Sequence, residues 1–247
     1  MEHKYLFDEY VTAAVMRQKG GSALILSGRS IIFLDLETDK REVVATVQDD
    51  KPTNRFNDGK CDPVSTMGAE LTPAVFELEQ GCLFSFDEKQ TVKVHVEKVS
   101  LSNGLAWSLD NKTFYFIDSI PAGCVYAFDY DLTSGSISNK RTIIMVDPSL
   151  GIPDGMTIDV DGMLWIAMYN GGKVVRYDPS NGKVLQTVTL PATKTTSVCW
   201  AGPNYDELLV TSACLSPEEK KSQPLAGSVF KIKNLGTSGL PLTPYCG

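Results

Sequence analysis

Residues Gly151–Leu190 read GIPDGMTIDVDGMLWIAMYNGGKVVRYDPSNGKVLQTVTL. The stretch divides into four short apolar or alternating runs: Met156–Asp159, Leu164–Met168, Lys173–Tyr177 and Lys183–Thr189. Asp161-Gly162, Asn170-Gly171-Gly172 and Asn181-Gly182 separate them, and these residues tolerate the positive φ that tight hairpin turns demand. Four strands joined in this way predict one meandering antiparallel sheet, the unit of a β-propeller blade.

The pattern extends outward in both directions. Ala13–Met16, Ser22–Leu26, Ser30–Leu34 and Glu42–Thr46 read as an earlier sheet. Thr113–Ile117, Val125–Tyr130 and Lys140–Met145 follow an opening strand at Leu101–Ser108. Ser197–Trp200, Glu207–Thr211 and Gly227–Ile232 form the last unit, interrupted by the polar segment Ser216–Gln223, which reads as a solvated loop. The Pro-rich tail Leu240–Tyr245 is expected to end on an edge or closing strand. No stretch shows helical periodicity: apolar residues recur at period two between Gly, Asn and Asp turns.

Three polar entries recur: Asn57-Asp58-Gly59, Ser102-Asn103-Gly104 and Pro153-Asp154-Gly155. The residues before the glycines lie 45 and 51 positions apart, and Ser197 lies 43 beyond Asp154. A period in the forties with four strands is propeller spacing. The expectation is therefore an all-β chain over 1–247, one propeller domain with about five recognisable blades. One blade reads as shortened, because Cys61–Ser65 leaves too little chain for a strand, a turn and a second strand.

Composition narrows the partners. The 247 residues carry 23 Lys and Arg against 30 Asp and Glu, a net charge of −7, without a basic cluster. That balance argues against nucleic acid. MEHKYLFDEY is not a signal peptide, and no apolar run reaches membrane-spanning length. Six widely spaced cysteines without a C-x-x-C pair read as reduced core or loop thiols of a cytoplasmic protein, and a monomer is expected. His3 and His95 lack metal-ligand spacing, and Trp107, Trp165 and Trp200 read as packing residues. Elbow, Walker, dinucleotide and EF-hand motifs are all missing from the sequence.

In a propeller the innermost strands begin around one central channel. Arg55, Asn57, Asp58, Asn103 and Asp154, with Glu70 nearby, then become the candidate site. An Asp carboxylate and an Asn amide oxygen suit a hard divalent cation. The same Asp-Gly and Asn-Gly pairs also serve as plain turn caps, so both readings stand on the residues alone.

NRFNDGK, SNGLAWSLD, FYFIDS, FDYDLTSGSISNKR, IPDGMTIDVDGMLWIA, YNGGKVVRYDP and LQTVTLP together resemble the regucalcin (senescence marker protein-30)/gluconolactonase family, over nearly the whole chain. The resemblance implies a six-bladed propeller with one divalent metal at its centre, Ca²⁺ first and Zn²⁺, Mn²⁺ or Mg²⁺ as alternatives. It implies hydrolysis of small sugar lactones, with Asn103 and Asp154 as metal ligands and Asp154 doubling as the base. Arg55, Asn57 and Glu70 would contact substrate. Two departures stand out. The family's early G-E-G/S-P-x-W motif, which supplies a Glu ligand from a first blade, has no counterpart here. Relatives also carry about five more residues at Cys61–Ser65. The expectation is a gluconolactonase impaired by the lost Glu, with a non-catalytic calcium-binding protein or an inactive shortened form as the alternative.

Overall fold

The computed structural model of the protein describes residues 4–48, 50–61, 64–72, 75–241 and 243–246, with 64–72, 75 and 76 described by their backbone alone. The chain divides into two compact units, Met1–Ser102 with Leu242–Gly247, and Asn103–Pro241.

In the first unit, β1 (Val11–Met16), β2 (Ser22–Ser27), β3 (Ser30–Asp35) and β4 (Arg41–Thr46) form one meander. The second sheet runs β5 (Asn54–Lys60), β6 (Val64–Thr72), β8 (Gly81–Phe86) and β9 (Val92–Val99), with β7 (Val75–Phe76) paired to β6. Phe33, Phe56, Phe84 and Phe86 are buried between these sheets. The C-terminal segment returns to this core. Tyr245 bridges Arg17 in parallel, stacks on Phe86 at 5.6 Å and donates its hydroxyl to the Asp87 carbonyl at 2.6 Å. The Pro-rich tail therefore closes on a strand edge, as its composition suggests.

In the second unit, β10 (Ser102–Trp107), whose first residue belongs to the first unit, leads β11 (Thr113–Asp118), β12 (Cys124–Asp131) and β13 (Ser136–Met145). Next come β14 (Ile152–Ile158), β15 (Leu164–Tyr169), β16 (Lys173–Tyr177) and β17 (Val184–Thr189), then β18 (Thr195–Ala201), β19 (Glu207–Ser212) and β20 (Val229–Ile232). Trp165 and Trp200 meet edge to face at 5.7 Å within an apolar cluster with Val198, Leu208 and Val210. The turns at Asp161-Gly162, Asn170–Gly172 and Asn181-Gly182 fall where the sequence places them, Asn170 itself at φ 61°.

Three expectations are corrected. The unit around Cys61–Ser65 is not short of a strand, because β5 begins at Asn54 and pairs antiparallel with β6, from Asn54 opposite Ala69 to Lys60 opposite Val64. Asp62 and Pro63 lie outside the described residues. The segment Ser216–Gln223 is not a plain loop but contains the helix α1 (Pro217–Ser222). Ser216 Oγ accepts from the Glu219 N–H at 3.1 Å, and Pro217 occupies the first turn, where its missing N–H costs nothing. Four residues of S-P-E-E carry this signal without any periodic run.

The third correction concerns Pro153-Asp154-Gly155, expected ahead of the run that starts at Met156 but found inside β14, as Asn57-Asp58-Gly59 is inside β5. Pairing shifts register between Val11 and Ala13, Phe56 and Gly59, Pro153 and Met156, and Thr195 and Ser197. These are bulges, which bend a strand and re-aim its side chains. Their glycines serve close approach. A Cβ on Gly155 would overlap Ser197, lying 2.7 Å from its Cα. A Cβ on Gly104 would stand 2.8 Å from the Asp154 carbonyl. We predict that Gly155→Ala destabilises the protein by about 1–3 kcal/mol through overpacking. Gly20, with nothing within 4 Å, should tolerate alanine within about 0.5 kcal/mol, both read from urea midpoints.

Candidate functional site

Two inner strands of the second unit carry the strongest candidates. Asn103, 5% exposed, is the second residue of β10, and Asp154, half-buried, the third of β14. The missing Cβ of Gly104 lets β10 approach the Asp154 backbone. Asn103 Nδ2 donates to Ser119 Oγ at 2.8 Å, and that hydroxyl donates to the Pro153 carbonyl at 2.6 Å. Ser119 thus links the segment bearing Asn103 to the segment bearing Asp154. The link commits the amide nitrogen and fixes Asn103 Oδ1 as the oxygen on the opposite branch. An amide oxygen and a carboxylate make a hard donor pair that fits Ca²⁺ or Mg²⁺ better than soft metals. Among the described residues no three His, Cys, Asp or Glu side chains cluster as a ligand set.

The turn-cap alternative fails for Asn103 and Asp154, because both are strand residues. Ser119 escaped the sequence reading. It stands just past β11 in FYFIDS, a run that reads as an ordinary strand end, and only the fold brings it between Asn103 and Pro153.

The first unit holds Arg55, Asn57 and Asp58 on β5. Arg55 Nη1 donates to the Phe56 carbonyl at 3.0 Å and to Asn57 Oδ1 at 3.3 Å, and its guanidinium lies 5.5 Å from the Tyr10 ring centre. Asn57 Nδ2 donates to the Ser102 carbonyl at 2.8 Å. These contacts hold Arg55 and Asn57 as one group at the bulge. Glu70 lies on β6, opposite Phe76 of β7, so its backbone is in a strand; its side chain is outside the described residues. His95 is a strand residue bonded to Ser85 Oγ at 2.7 Å, and burial lowers its pKa. His3 lies outside the described residues.

Asp58 accepts the Gly59 N–H at 2.7 Å. Removal from water nevertheless pushes its carboxyl above the usual carboxylate range, against the opposing pull of that N–H and of Lys60. A raised folded-state pKa means the native state holds the proton more tightly, so Asp58 costs stability once pH rises through that value.

A model described as SMP-30/Gluconolactonase/LRE-like region matches residues 1–214. Regucalcin of Oryctolagus cuniculus is 48% identical over 247 residues, covering 97% of this chain and 82% of that protein. Regucalcin of Xenopus laevis is 46% identical over 244 residues, covering 96% and 81%. A solved luciferin-regenerating enzyme superposes with a TM-score of 0.89 at 31% identity, covering 97% of this chain and 83% of that one. A structure of a calcium-binding protein, regucalcin from Agrobacterium tumefaciens, shares the fold with a TM-score of 0.87 at 24% identity, covering 98% and 81%. The described residues contain no helix long and apolar enough to cross a membrane.

We predict that Asp58→Asn melts higher than wild type at pH 7, with the gain vanishing below about pH 4, where the unfolded carboxyl is itself protonated. Thermal melts at the two pH values check the sign.

Proposed function

Because this chain belongs to the SMP-30/gluconolactonase/LRE-like family, we propose that it hydrolyses small sugar lactones with a divalent cation held by Asn103 and Asp154. The observation that carries the reading is the Asn103–Ser119–Pro153 hydrogen-bond chain. It orients a buried amide toward oxygen donation on the strand that packs against the one bearing Asp154. Ca²⁺ is the first choice of cation, with Zn²⁺, Mn²⁺ and Mg²⁺ behind it. Bound there, the ion would supply Lewis-acid polarisation of the lactone carbonyl.

The residues of this chain would do the rest. Asp154 takes a proton from the attacking water as its oxygen adds to the lactone carbonyl carbon. The ring C–O bond then breaks, and the same carboxyl returns the proton to the departing ring oxygen, giving the open-chain acid. Arg55 supports negative charge on the carbonyl oxygen. Asn57 and Glu70 orient sugar hydroxyls, and the hydrogen bonds of Asn57 to Arg55 and Ser102 limit the rotamers it can adopt.

We read the five sheets as blades of a six-bladed-type propeller forming one domain, in a cytoplasmic monomer.

The test is hydrolysis of D-glucono-δ-lactone with Ca²⁺, Zn²⁺ or Mn²⁺. Metal-stimulated turnover that Asp154→Ala abolishes supports the enzyme; equal background rates for both proteins overturn it and leave a non-catalytic calcium-binding role. Ser119→Ala should weaken cation affinity by about 10–100-fold, the usual effect of losing a partner that orients a ligand. Calorimetric titration with Ca²⁺ measures it.

A further inference from the structure

The connection between β19 and β20 spans residues 213–228, whereas the β15–β16 connection of the same unit is 170–172. Connections this long in a compact domain serve a function more often than a packing need. Its place is fixed by topology. Ser212, the end of β19, pairs with Thr195, the start of β18. Ser197 in turn lies against Gly155, beside Asp154. The insertion therefore leaves the sheet at the end where Asp154 enters β14.

Its attachments are polar. None of the residues of α1 is buried, yet the segment is pinned at several points. Glu219 pairs with Lys194, their side chains only 10% and 19% exposed, and also accepts the Leu215 N–H at 2.8 Å. Gln223 Oε1 accepts the Thr193 N–H at 2.9 Å, and Lys220 Nζ donates to the Ala226 carbonyl at 2.6 Å. The hydrogen bonds to Lys194 hold the Glu219 carboxyl below its ordinary range. Thr193 and Lys194 lie on the link that leads into β18, so these two contacts fasten the strap to the rim of the Asp154 end. A segment whose helix buries none of its own residues, with Ala226 alone at 1% exposure beyond it, but which is fastened twice to one rim has a position worth holding.

We infer that this strap walls the Asp154 end of the unit and restricts the bulk of the lactone admitted there, with Lys194–Glu219 as its latch. The inference rests on the lactonase reading above for its substrate and on the geometry of the second unit for its place. Small aldonolactones pass, and lactones carrying a second sugar are turned away by the strap.

The experiment compares wild type with the double variant Glu219→Gln, Gln223→Ala, which spares the core. Trypsin should cleave after Lys220 about fivefold faster in the variant, since cleavage follows the population of the opened strap. The ratio of kcat/KM for lactobiono-δ-lactone over D-glucono-δ-lactone should rise about tenfold, reflecting lost discrimination at the transition state. Faster cleavage with an unchanged ratio overturns the wall, and unchanged cleavage overturns the latch. If wild type hydrolyses neither lactone, the lactonase reading fails by itself. The strap is then judged by whether D-gluconate slows tryptic cleavage of wild type after Lys220: protection upholds a ligand beneath it, and none overturns it.

Discussion

The close approach of inner strands is the constraint on which the second unit depends. Gly104 of β10 lies against β14, and Gly155 of β14 lies against β18, each where a single methyl group would overlap the neighbour. Protein interiors pack too densely to absorb such overlap without backbone movement. Glycine at these positions brings strand against strand, and the bulges at Pro153–Met156 and Thr195–Ser197 bend the chain at the same level. The candidate ligands are set by that approach. Asn103 and Asp154 sit one residue before the two glycines, so what permits packing also fixes where the polar side chains start.

Polar groups inside this packing are satisfied in two different ways. Asp159, fully buried, accepts from the N–H groups of Asp161 and Met163 through Oδ1, and from Trp165 Nε1 and Arg176 Nε through Oδ2. A buried charge persists only with such compensation, and Asp159 is thereby committed to tying β14, β15 and β16 together. Asn103 is satisfied differently, with its amide nitrogen bound to Ser119 and its oxygen on the other branch. Asp154 and Asp159 lie five positions apart along the same stretch, and surroundings alone give Asp159 a structural role and leave Asp154 a candidate ligand.

The α1 strap applies the same logic outside the core. Ser216, Glu219 and Gln223 fasten it by hydrogen bonds and one ion pair, interactions that orient a segment without adding apolar burial. The helix itself buries no residue, so its local opening exposes no core of its own.

Strand order and the blade period were legible in the sequence, because alternation and Gly/Asn/Asp turns are local signals: β15 and β16 fall within a residue of their expected bounds. The resemblance names Arg55, Asn57, Glu70, Asn103 and Asp154 as candidates, whose roles are proposed and not read from the fold. Four things required the tertiary structure. Two of the polar entries sit at bulges inside strands, and register across a sheet is a property of two strands, not one. The second sheet is complete because β5 starts earlier than its alternation suggests. Ser119 gains its role only when β11 ends beside Asn103 and Pro153. The glycines of the entry motifs look like turn residues in sequence, yet Gly155 is required because Ser197, 42 residues later, occupies the space a side chain would need. Local chemistry sets what each segment can form, and contacts between segments distant in sequence decide which of its residues can bind.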